Sequence, residues 1–417
     1  MTRRCVITGM GVVSPNGVGT PAFERAVLQG RSGVKRISRF DASDIEVQIA
    51  GEVSDFDELA WVEKKERKHV SRVLPLALCA GSEALASAGV DSSSLPMEER
   101  RRFGVIMGTG GGSQEFTEEQ YRLYFHGQLS KMSLFCVPSA VMGGISSELN
   151  VRFGLRGPSH VITTGCTSST DAMAYAVRQI QSDRLDTVLT GGADAPISLG
   201  TVKGFILMRI LTEGWNGEPE KGSRPFSADR DGFVLAEGAW MFVLEEHEHA
   251  KARGATILAE VCGYGSTCEA FHRVRLMECG EEPARAIGLA MQQAGIGPES
   301  VDYVNLHGTS TQLNDRIETR ALKLALGDER ARHVPMSALK SQIGHPQGAC
   351  GAAGVAATLV AMRTGQIPPT INLDDPDKDC DLDYVPQAGR KKQIEHAVCN
   401  CIAFGSKNSA LVLRKVS

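Results

Sequence analysis

The chain has 417 residues, 42% of them hydrophobic and 23% charged, which is enough for a large buried core of two or three domain-sized units. Its formal net charge of −4 gives no reason to expect nucleic acid or an anionic membrane surface as a partner. No apolar run approaches the ~20 residues of a membrane span, and the N-terminal segment lacks the apolar stretch of a signal peptide. Eleven irregularly spaced cysteines without a CxxC pair argue against a disulfide framework or a zinc site. We therefore expect a soluble, cytoplasmic protein with reduced thiols.

In the first half of the chain, short apolar runs alternate with a helical pattern, and glycine clusters separate them. Strands are predicted at 103–107, 160–164 and 187–190, and a helix at 171–181, which favours α/β architecture. This order places Cys166 at a strand-to-helix junction. The positive end of a helix dipole lowers the pKa of a thiol, so we expect Cys166 to form a thiolate.

The second half repeats this rhythm. A strand is predicted at 257–261 and a helix at 282–294, and three further strands are predicted at 302–306, 335–339 and 397–403. A charged, polar stretch at 245–254 separates the two rhythms. We therefore predict two halves, 1–253 with the reactive cysteine and 254–417 with the histidines and the lysine described next.

Reactive or small residues follow four of these strands: Cys166, His307, Lys340 with His345, and Phe404. A thiolate attacks the carbonyl carbon of a thioester, and a pair of histidines stabilises a developing oxyanion or enolate without carrying permanent charge. Asp315 and Glu318 are three residues apart, so both face one way if they lie on a helix. Taken alone, these residues predict an α/β enzyme with a Cys–His nucleophile site.

Taken together, the motifs resemble the β-ketoacyl-acyl-carrier-protein synthases, specifically the branch of synthase II and the ketosynthase alpha subunits of type II polyketide synthases. The resemblance runs nearly end to end and rests on segments in family order: 6–15, 154–158, 164–168, 224–226, 229–233, 307–311, 340–345 and 404–405. It implies an α/β thiolase-like fold, a five-layered αβαβα sandwich built from two similar halves.

The resemblance also implies a role for each matching residue. Cys166 would accept the acyl group, and the backbone amides of Cys166 and Phe404 would form the oxyanion hole, with Phe404 as a gate. His307 and His345 would assist decarboxylation, supported by Lys340 in a pair with Glu318. The other implied residues are Asp315, Phe233 and His272 as supports, Thr309 and Thr311 for phosphopantetheine, Gly111, Cys136 and Phe205 in the acyl pocket, and Lys64, Lys65, Arg67, Lys68 and Arg209 for carrier-protein docking.

The implied reaction moves an acyl group from an acyl carrier protein to Cys166 and then condenses it with a malonyl thioester that loses carbon dioxide. It needs no metal or cofactor bound by the enzyme, because phosphopantetheine arrives on the carrier protein. Fatty acid and polyketide elongation both remain open, as do a homodimer and a heterodimer with a chain-length-factor-like subunit.

Some residues depart from the family pattern. The loop at 403–408 carries Ser406 and Lys407 where the family usually has glycine and threonine, which implies altered gating. Gly111 and Cys136 are small, which leaves room for a bulkier acyl chain, unless neighbours fill the space.

Two alternative functions remain. A non-catalytic partner subunit is disfavoured because such subunits typically lack the cysteine retained here as Cys166. A thiolase would need a second catalytic cysteine, for which Cys399 and Cys401 are the candidates, and their strand setting favours a buried core instead.

Overall fold

The computed structural model describes residues 3–416. Its main element is a large mixed β-sheet, and helices pack on it. In chain order the strands are β1 (Cys5–Ser14), β2 (Gly17–Val18), β3 (Lys35–Arg36), β4 (Ile49–Ala50), β5 (Phe103–Gly108), β6 (Ser159–Ile162), β7 (Thr187–Asp194), β8 (Gly238–Glu246), β9 (Ala259–Cys268), β10 (Tyr303–Asn305), β11 (Met336–Ser337), β12 (Gln366–Ile367), β13 (Arg390–Lys391), β14 (His396–Ala403) and β15 (Lys407–Arg414).

The helices lie between these strands. They are α1 (Thr20–Leu28), α2 (Val73–Ser87), α3 (Met97–Arg101), α4 (Gln114–Phe125), α5 (Cys136–Ala140), α6 (Gly144–Phe153), α7 (Ser168–Gln181), α8 (Leu199–Leu207), α9 (His247–Ala252), α10 (Glu281–Ala294), α11 (Gln312–Leu326), α12 (Asp328–His333), α13 (Lys340–Ile343) and α14 (Cys350–Thr364). Within residues 3–416, no helix combines the length and the apolar character needed to cross a bilayer.

The main sheet has eleven strands: two sets of five with the same order, and the short β2, which pairs with β1. The first runs β1-β8-β7-β5-β6 and the second β9-β15-β14-β10-β11. In each set the three outer strands are parallel and the other two pairings are antiparallel. The sets meet where Val6 and Ile7 of β1 pair with β9. The chain is therefore built from two halves of one topology, as the repeated sequence rhythm predicts.

Helices α7 and α14 form the middle layer, because they contact each other and both touch strands of each set. Helix α14 is buried over 350–362, as expected for a helix covered on all sides, and most of these residues are small. A Cβ at Gly351 would lie 2.1 Å from Oγ1 of Thr170, so glycine permits the close approach of α14 to α7. With α2 outside β1 and β8, and α10 outside β9 and β15, the layers follow the predicted αβαβα order.

The predicted elements are present, with small differences at their ends. Helix α7 begins at Ser168 rather than at 171, and the strand predicted at 335–339 is reduced to the two residues of β11. The division of the chain at 253/254 falls between α9 and β9 and stays a prediction, because one hydrophobic core includes residues from both halves.

Candidate active site

Cys166 lies in the tight connection between β6 and α7, as the sequence predicts. Gly165 has φ 73°, a left-handed conformation that favours glycine, and turns the chain just before the cysteine. The loop is tied to the first turns of α7, because the amide of Thr164 donates to Oγ of Ser168 at 2.9 Å and its hydroxyl donates to Asp171 at 2.6 Å. The thiol is therefore fixed at the start of the central helix, only 6% exposed.

Burial works against formation of the thiolate expected at Cys166. Burial raises the pKa of its thiol above the ordinary value, and the neighbouring thiol of Cys350 adds to the rise. Lys340 and a hydrogen bond from the backbone amide of Phe404 lower that pKa but do not overcome the burial.

His307 follows β10 and is held through its backbone by a buried carboxylate. The carboxylate of Glu318 on α11 accepts the amide hydrogens of His307 at 2.6 Å and Gly308 at 2.7 Å. It also accepts a hydrogen bond from Nδ2 of Asn400 at 2.7 Å. Helix α11 thereby fixes the main chain on both sides of the imidazole.

Lys340 approaches His307 from behind. Its Nζ donates to the carbonyl oxygen of His307 at 2.5 Å and lies 3.2 Å from Nδ1 of the same residue. The expected ion pair between Lys340 and Glu318 does not form, because Glu318 is occupied by the two backbone amides and Asn400. With Nδ1 accepting from Lys340, the tautomer of His307 carries its proton on Nε2.

His345 reaches the same tautomer by a different route. Its Nδ1 accepts the backbone amide hydrogen of Gln347 at 3.0 Å, so the proton lies on Nε2. The two imidazole rings stand edge to face, with centroids 5.5 Å apart. Burial, followed by the positive charge of Lys340, holds the pKa of both histidines well below 6.5. Both rings are neutral near pH 7 and present an N–H group as a donor.

A cavity of about 310 Å³ opens in front of these groups. Eight of the residues singled out from the sequence line it: Cys166, Phe233, His272, His307, Thr309, Thr311, His345 and Phe404. Reactive atoms of Cys166, His307 and His345 all lie within 4.8 Å of one another. The hydroxyls of Thr309 and Thr311 are 2.9 Å apart on another wall. A thioester carbonyl in this cavity could reach the thiol and the imidazole donors together.

The supporting carboxylate Asp315 lies outside the cavity. Its oxygens accept the amide hydrogens of Thr309 at 3.0 Å and Phe226 at 2.8 Å, and Arg230 lies 3.4 Å away. Burial raises the pKa of Asp315. This carboxylate therefore orders the loop after His307 and does not face the space in front of Cys166.

The three residues expected in an acyl pocket do not line this cavity in the described chain. Gly111 belongs to a loop whose amides bind the carboxylate of Asp194, and Cys136 begins helix α5. Phe205 packs edge to face on Phe233 at 5.6 Å and so approaches the cavity only through that ring. The sequence alone did not show that other residues, such as Phe233 in front of Phe205, would lie between these three positions and the cavity.

The basic residues expected to dock a carrier protein lie beside two different cavities. Arg209 is exposed, with φ 54°, between Met208 and Ile210, which line the cavity of Cys166. The other four, Lys64, Lys65, Arg67 and Lys68, surround Glu66, which lines a second cavity of about 600 Å³. Arg67 is bound to Glu58 and Lys65 to Glu63, so these two charges are partly neutralised.

The loop of Phe404 is a three-residue turn between β14 and β15. Gly405 and Ser406 have φ of 81° and 64°, both in the left-handed region. The hydroxyl of Ser406 donates to the carbonyl oxygen of His272 at 3.0 Å and accepts its amide hydrogen at 3.3 Å. Serine at this position thus fastens the turn to a neighbouring segment of the cavity wall.

Sequence reasoning missed Asp194 and Cys350 near the site, and it assigned Cys401 to the buried core. Asp194, at the end of β7, accepts amide hydrogens from Gly110, Gly111, Gly112 and Gly348 at 2.7–3.2 Å. Cys350 and Cys401 lie behind Cys166, and each thiol contacts its carbonyl oxygen, at 3.2 and 3.1 Å. The position of Cys350 five residues after His345 was the one available signal for that thiol.

Comparisons with known proteins agree with this geometry. The family model described as "Beta-ketoacyl synthase, N-terminal domain" matches residues 2–250, and "Beta-ketoacyl synthase, C-terminal domain" matches 258–374. The chain is 38% identical to 3-oxoacyl-[acyl-carrier-protein] synthase 2 of Vibrio harveyi over 415 residues, covering 100% of this chain and 99% of that protein. It is 40% identical to the actinorhodin polyketide beta-ketoacyl synthase 1 of Streptomyces coelicolor over 425 residues, covering 99% and 89% of the two proteins.

A solved structure is similar over the whole length. The ishigamide ketosynthase/chain length factor superposes with a TM-score of 0.91 at 32% identity, covering 100% of both chains. The family models together match most of the chain, and the fold and the cavity are those expected of a condensing enzyme. The chain belongs to the β-ketoacyl synthase family.

Proposed function

We propose that this chain catalyses the decarboxylative condensation of an acyl group carried on Cys166 with a malonyl thioester of an acyl carrier protein. The observation that carries the proposal is the cavity in which the thiol of Cys166 faces two neutral imidazoles, each with an N–H donor. Neutral donors suit an enolate or oxyanion, which is negative only during the reaction.

In the first half-reaction, the sulfur of Cys166 attacks the thioester carbonyl of an acyl-carrier protein. The carbon–sulfur bond to phosphopantetheine breaks, and the thiol proton of Cys166 leaves with the departing thiol, so no net charge appears. The backbone amides of Cys166 and Phe404 are the proposed donors to the tetrahedral oxyanion. Thr309 and Thr311 are the proposed partners of the phosphopantetheine arm.

In the second half-reaction, a malonyl thioester occupies the vacated space and loses carbon dioxide. The electron pair of the broken carbon–carbon bond forms an enolate, whose oxygen accepts hydrogen bonds from Nε2 of His307 and His345. The enolate carbon attacks the acyl carbon on Cys166, and the sulfur leaves as a thiolate that takes up one proton. A raised thiol pKa favours that protonation, so the enzyme returns to its resting state.

Lys340 is a positioning residue in this scheme. Its hydrogen bond to Nδ1 fixes the tautomer of His307, and its positive charge disfavours protonation of both imidazoles. A charged imidazolium would bind the malonyl carboxylate and oppose its loss, whereas a neutral N–H group favours the enolate that follows.

The partners are proposed from the relatives' names and from the surface. An acyl carrier protein is the proposed carrier, docking at Arg209 beside the cavity mouth and at the segment 64–68. A second subunit completes the proposed assembly, either another copy of this chain or a chain-length-factor-like protein. Fatty acid and polyketide elongation both fit the cavity, and we place the enzyme in the cytoplasm without a cofactor of its own.

The test is intact-mass analysis of wild type and of the Cys166→Ala and His345→Gln variants. Each is incubated with a series of acyl-carrier proteins and then with malonyl-carrier protein. Wild type should gain the acyl mass and release it as a β-ketoacyl product. Cys166→Ala should gain no mass, and His345→Gln should load but discharge slowly. Loading of Cys166→Ala, or rapid discharge by His345→Gln, would contradict the assignment of these residues.

A further inference from the structure

Behind Cys166 lie two buried thiols that the proposed reaction does not use, those of Cys350 and Cys401, next to the Nδ1 side of the catalytic His307. Sγ of Cys350, at the start of α14, is 3.6 Å from Sγ of Cys401 on β14. Sγ of Cys401 is 3.5 Å from Nδ1 of His307. These three ligand atoms all lie within 4.8 Å of one another, and all three residues are buried.

We propose that Cys350, Cys401 and His307 form a binding site for a thiophilic divalent metal ion such as Zn²⁺. Zinc lies about 2.3 Å from sulfur and about 2.0 Å from nitrogen, so a tetrahedral site has edges of about 3.8 Å between sulfurs and about 3.5 Å between sulfur and nitrogen. The observed edges are 3.6 and 3.5 Å. Two of the three edges thus lie close to their liganding separations, and the third, from Sγ of Cys350 to Nδ1 of His307, is within 4.8 Å.

The fourth ligand in this proposal is an oxygen atom. The carbonyl oxygen of Cys166 lies 3.2 Å from the sulfur of Cys350 and 3.1 Å from that of Cys401, so it adjoins both thiolate ligands. A set of two sulfurs, one nitrogen and one oxygen suits Zn²⁺ or Cd²⁺ and not Mg²⁺ or Ca²⁺, which prefer oxygen ligands.

Charge balance favours an ion here despite the nearby lysine. Binding releases the two thiol protons, and the two thiolates neutralise the two positive charges of the metal. The occupied cluster therefore adds no net charge beside Lys340, which avoids the cost of an uncompensated buried charge. His307 lines the substrate cavity, so an ion can arrive through that opening.

Occupation of the site would change the catalytic histidine. Nδ1 of His307, the proposed ligand atom, is the atom that Lys340 contacts at 3.2 Å. Metal and lysine therefore compete for one lone pair, and binding displaces the group that positions the imidazole. Resting on the proposed function, we infer that the metal inhibits condensation.

Binding is tested first, by titrating Cd²⁺ into the Cys166→Ala variant. This background removes the nucleophilic thiol, which with His307 and His345 forms a second possible ligand set. A phosphine reductant keeps the thiols reduced without chelating the metal. The readout is the ultraviolet charge-transfer absorption of the cadmium–thiolate bond, with Mg²⁺ as the hard-ion control.

We expect saturation at one Cd²⁺ per chain. Adding Cys350→Ala or Cys401→Ser should weaken binding at least about tenfold, since loss of even an outer-shell partner of a metal site costs about 10–100-fold. Both changes together should abolish the absorption. The matched control is Cys399→Ala, which removes a buried thiol on the same face of β14 that contacts Thr358 at 3.3 Å, and it should change nothing.

The absence of thiolate absorption, its survival when both thiols are replaced, or its equal loss in Cys399→Ala would each overturn the inference. Circular dichroism establishes folding of each variant, and the two single-thiol variants test the site independently. Zn²⁺ should also slow condensation by wild type, with at least about tenfold more metal needed for Cys350→Ala. If wild type never loads an acyl group, the proposed function fails, whereas cadmium binding still decides the metal site.

Discussion

Replacing Glu318 removes the acceptor that fixes the main chain on both sides of His307. Three buried donors converge on this carboxylate: the amides of His307 and Gly308, and Nδ2 of Asn400, at 2.6–2.7 Å. A buried donor left unsatisfied costs about 1–3 kcal/mol. Glu318→Ala strands all three and should lower the free energy of unfolding by roughly 3–9 kcal/mol, a large part of the about 5–15 kcal/mol typical of a folded protein.

Glu318→Gln separates this hydrogen-bonding effect from a simple loss of volume. Its amide oxygen can replace Oε1, which accepts from His307 and Asn400, while its amide nitrogen faces the amide hydrogen of Gly308. The amide of Gly308 then loses its acceptor, and the N–H group of the glutamine that faces it is unpaired as well. Burial raises the pKa of Glu318, so the amide also avoids the cost of an ionised carboxylate. We therefore expect a smaller loss than for Glu318→Ala, about 1–3 kcal/mol.

Urea unfolding followed by circular dichroism measures both losses. Glu98→Gln is the matched control, because the side chain of Glu98 is 79% exposed in a surface pair with Arg101 and its loss should change stability by less than about 0.5 kcal/mol. If Glu318→Gln destabilised as much as Glu318→Ala, or if neither differed from the control, the argument from unsatisfied donors would be refuted.

Three further predictions concern protonation and the gate loop. Because the folded pKa of His345 lies well below the unfolded value of about 6.5, the unfolded chain binds an extra proton at acidic pH, and stability should fall as the pH drops below about 6.5. In urea unfolding, His345→Gln should reduce the slope of stability against pH in that window by up to about 1.4 kcal/mol per pH unit, and an unchanged slope would contradict the neutral imidazole. Because burial raises the pKa of Cys166, its alkylation by iodoacetamide, followed by mass with Cys166→Ala as control, should accelerate about tenfold per pH unit through neutrality, and a plateau below pH 7 would indicate a resting thiolate. Ser406→Gly removes the hydroxyl bonded to His272, so amide hydrogen exchange at Phe404 and Gly405 should become faster, whereas equal exchange would mean that the serine does not restrain the loop.

The sequence predicted the fold and the centre of the site well because both depend on where strands end. Parallel strands place their carboxyl ends along one edge of a sheet, so Cys166 after β6 and Lys340 after β11 follow strands at matching positions of the two halves, and His307 follows β10, the neighbour of β11. Because both halves have this topology and both pack on α7 and α14, the strand ends of the two halves lie near the same central helices. Order along the chain thus predicted an α/β enzyme with a Cys–His site, whereas the five-layered fold and the role of each residue followed from the family resemblance.

Burial depth and contacts between distant side chains could not be read in the same way. The thiols of Cys350 and Cys401 meet because α14 packs on β14, which no local spacing reveals. Lys340 and Glu318 both serve His307, but one contacts its ring and carbonyl and the other its amide, so the inferred ion pair between them was wrong. The identities of these residues were visible in the sequence, whereas their directions of approach were not.

Burial raises the pKa of the Cys166 thiol and lowers the pKa of the two histidines, and the proposed chemistry requires both of these shifts. Desolvation disfavours whichever form carries charge, so it keeps the thiol of Cys166 protonated and the rings of His307 and His345 unprotonated. None of these three reactive groups then bears a lasting charge that would hold substrate in its ground state. Negative charge arises only on the oxyanion or the enolate, where fixed N–H donors are already aimed, so stabilisation is strongest in the transition state. A site with a resting thiolate and an imidazolium would instead form an ion pair with itself, and acyl transfer would first have to break that pair.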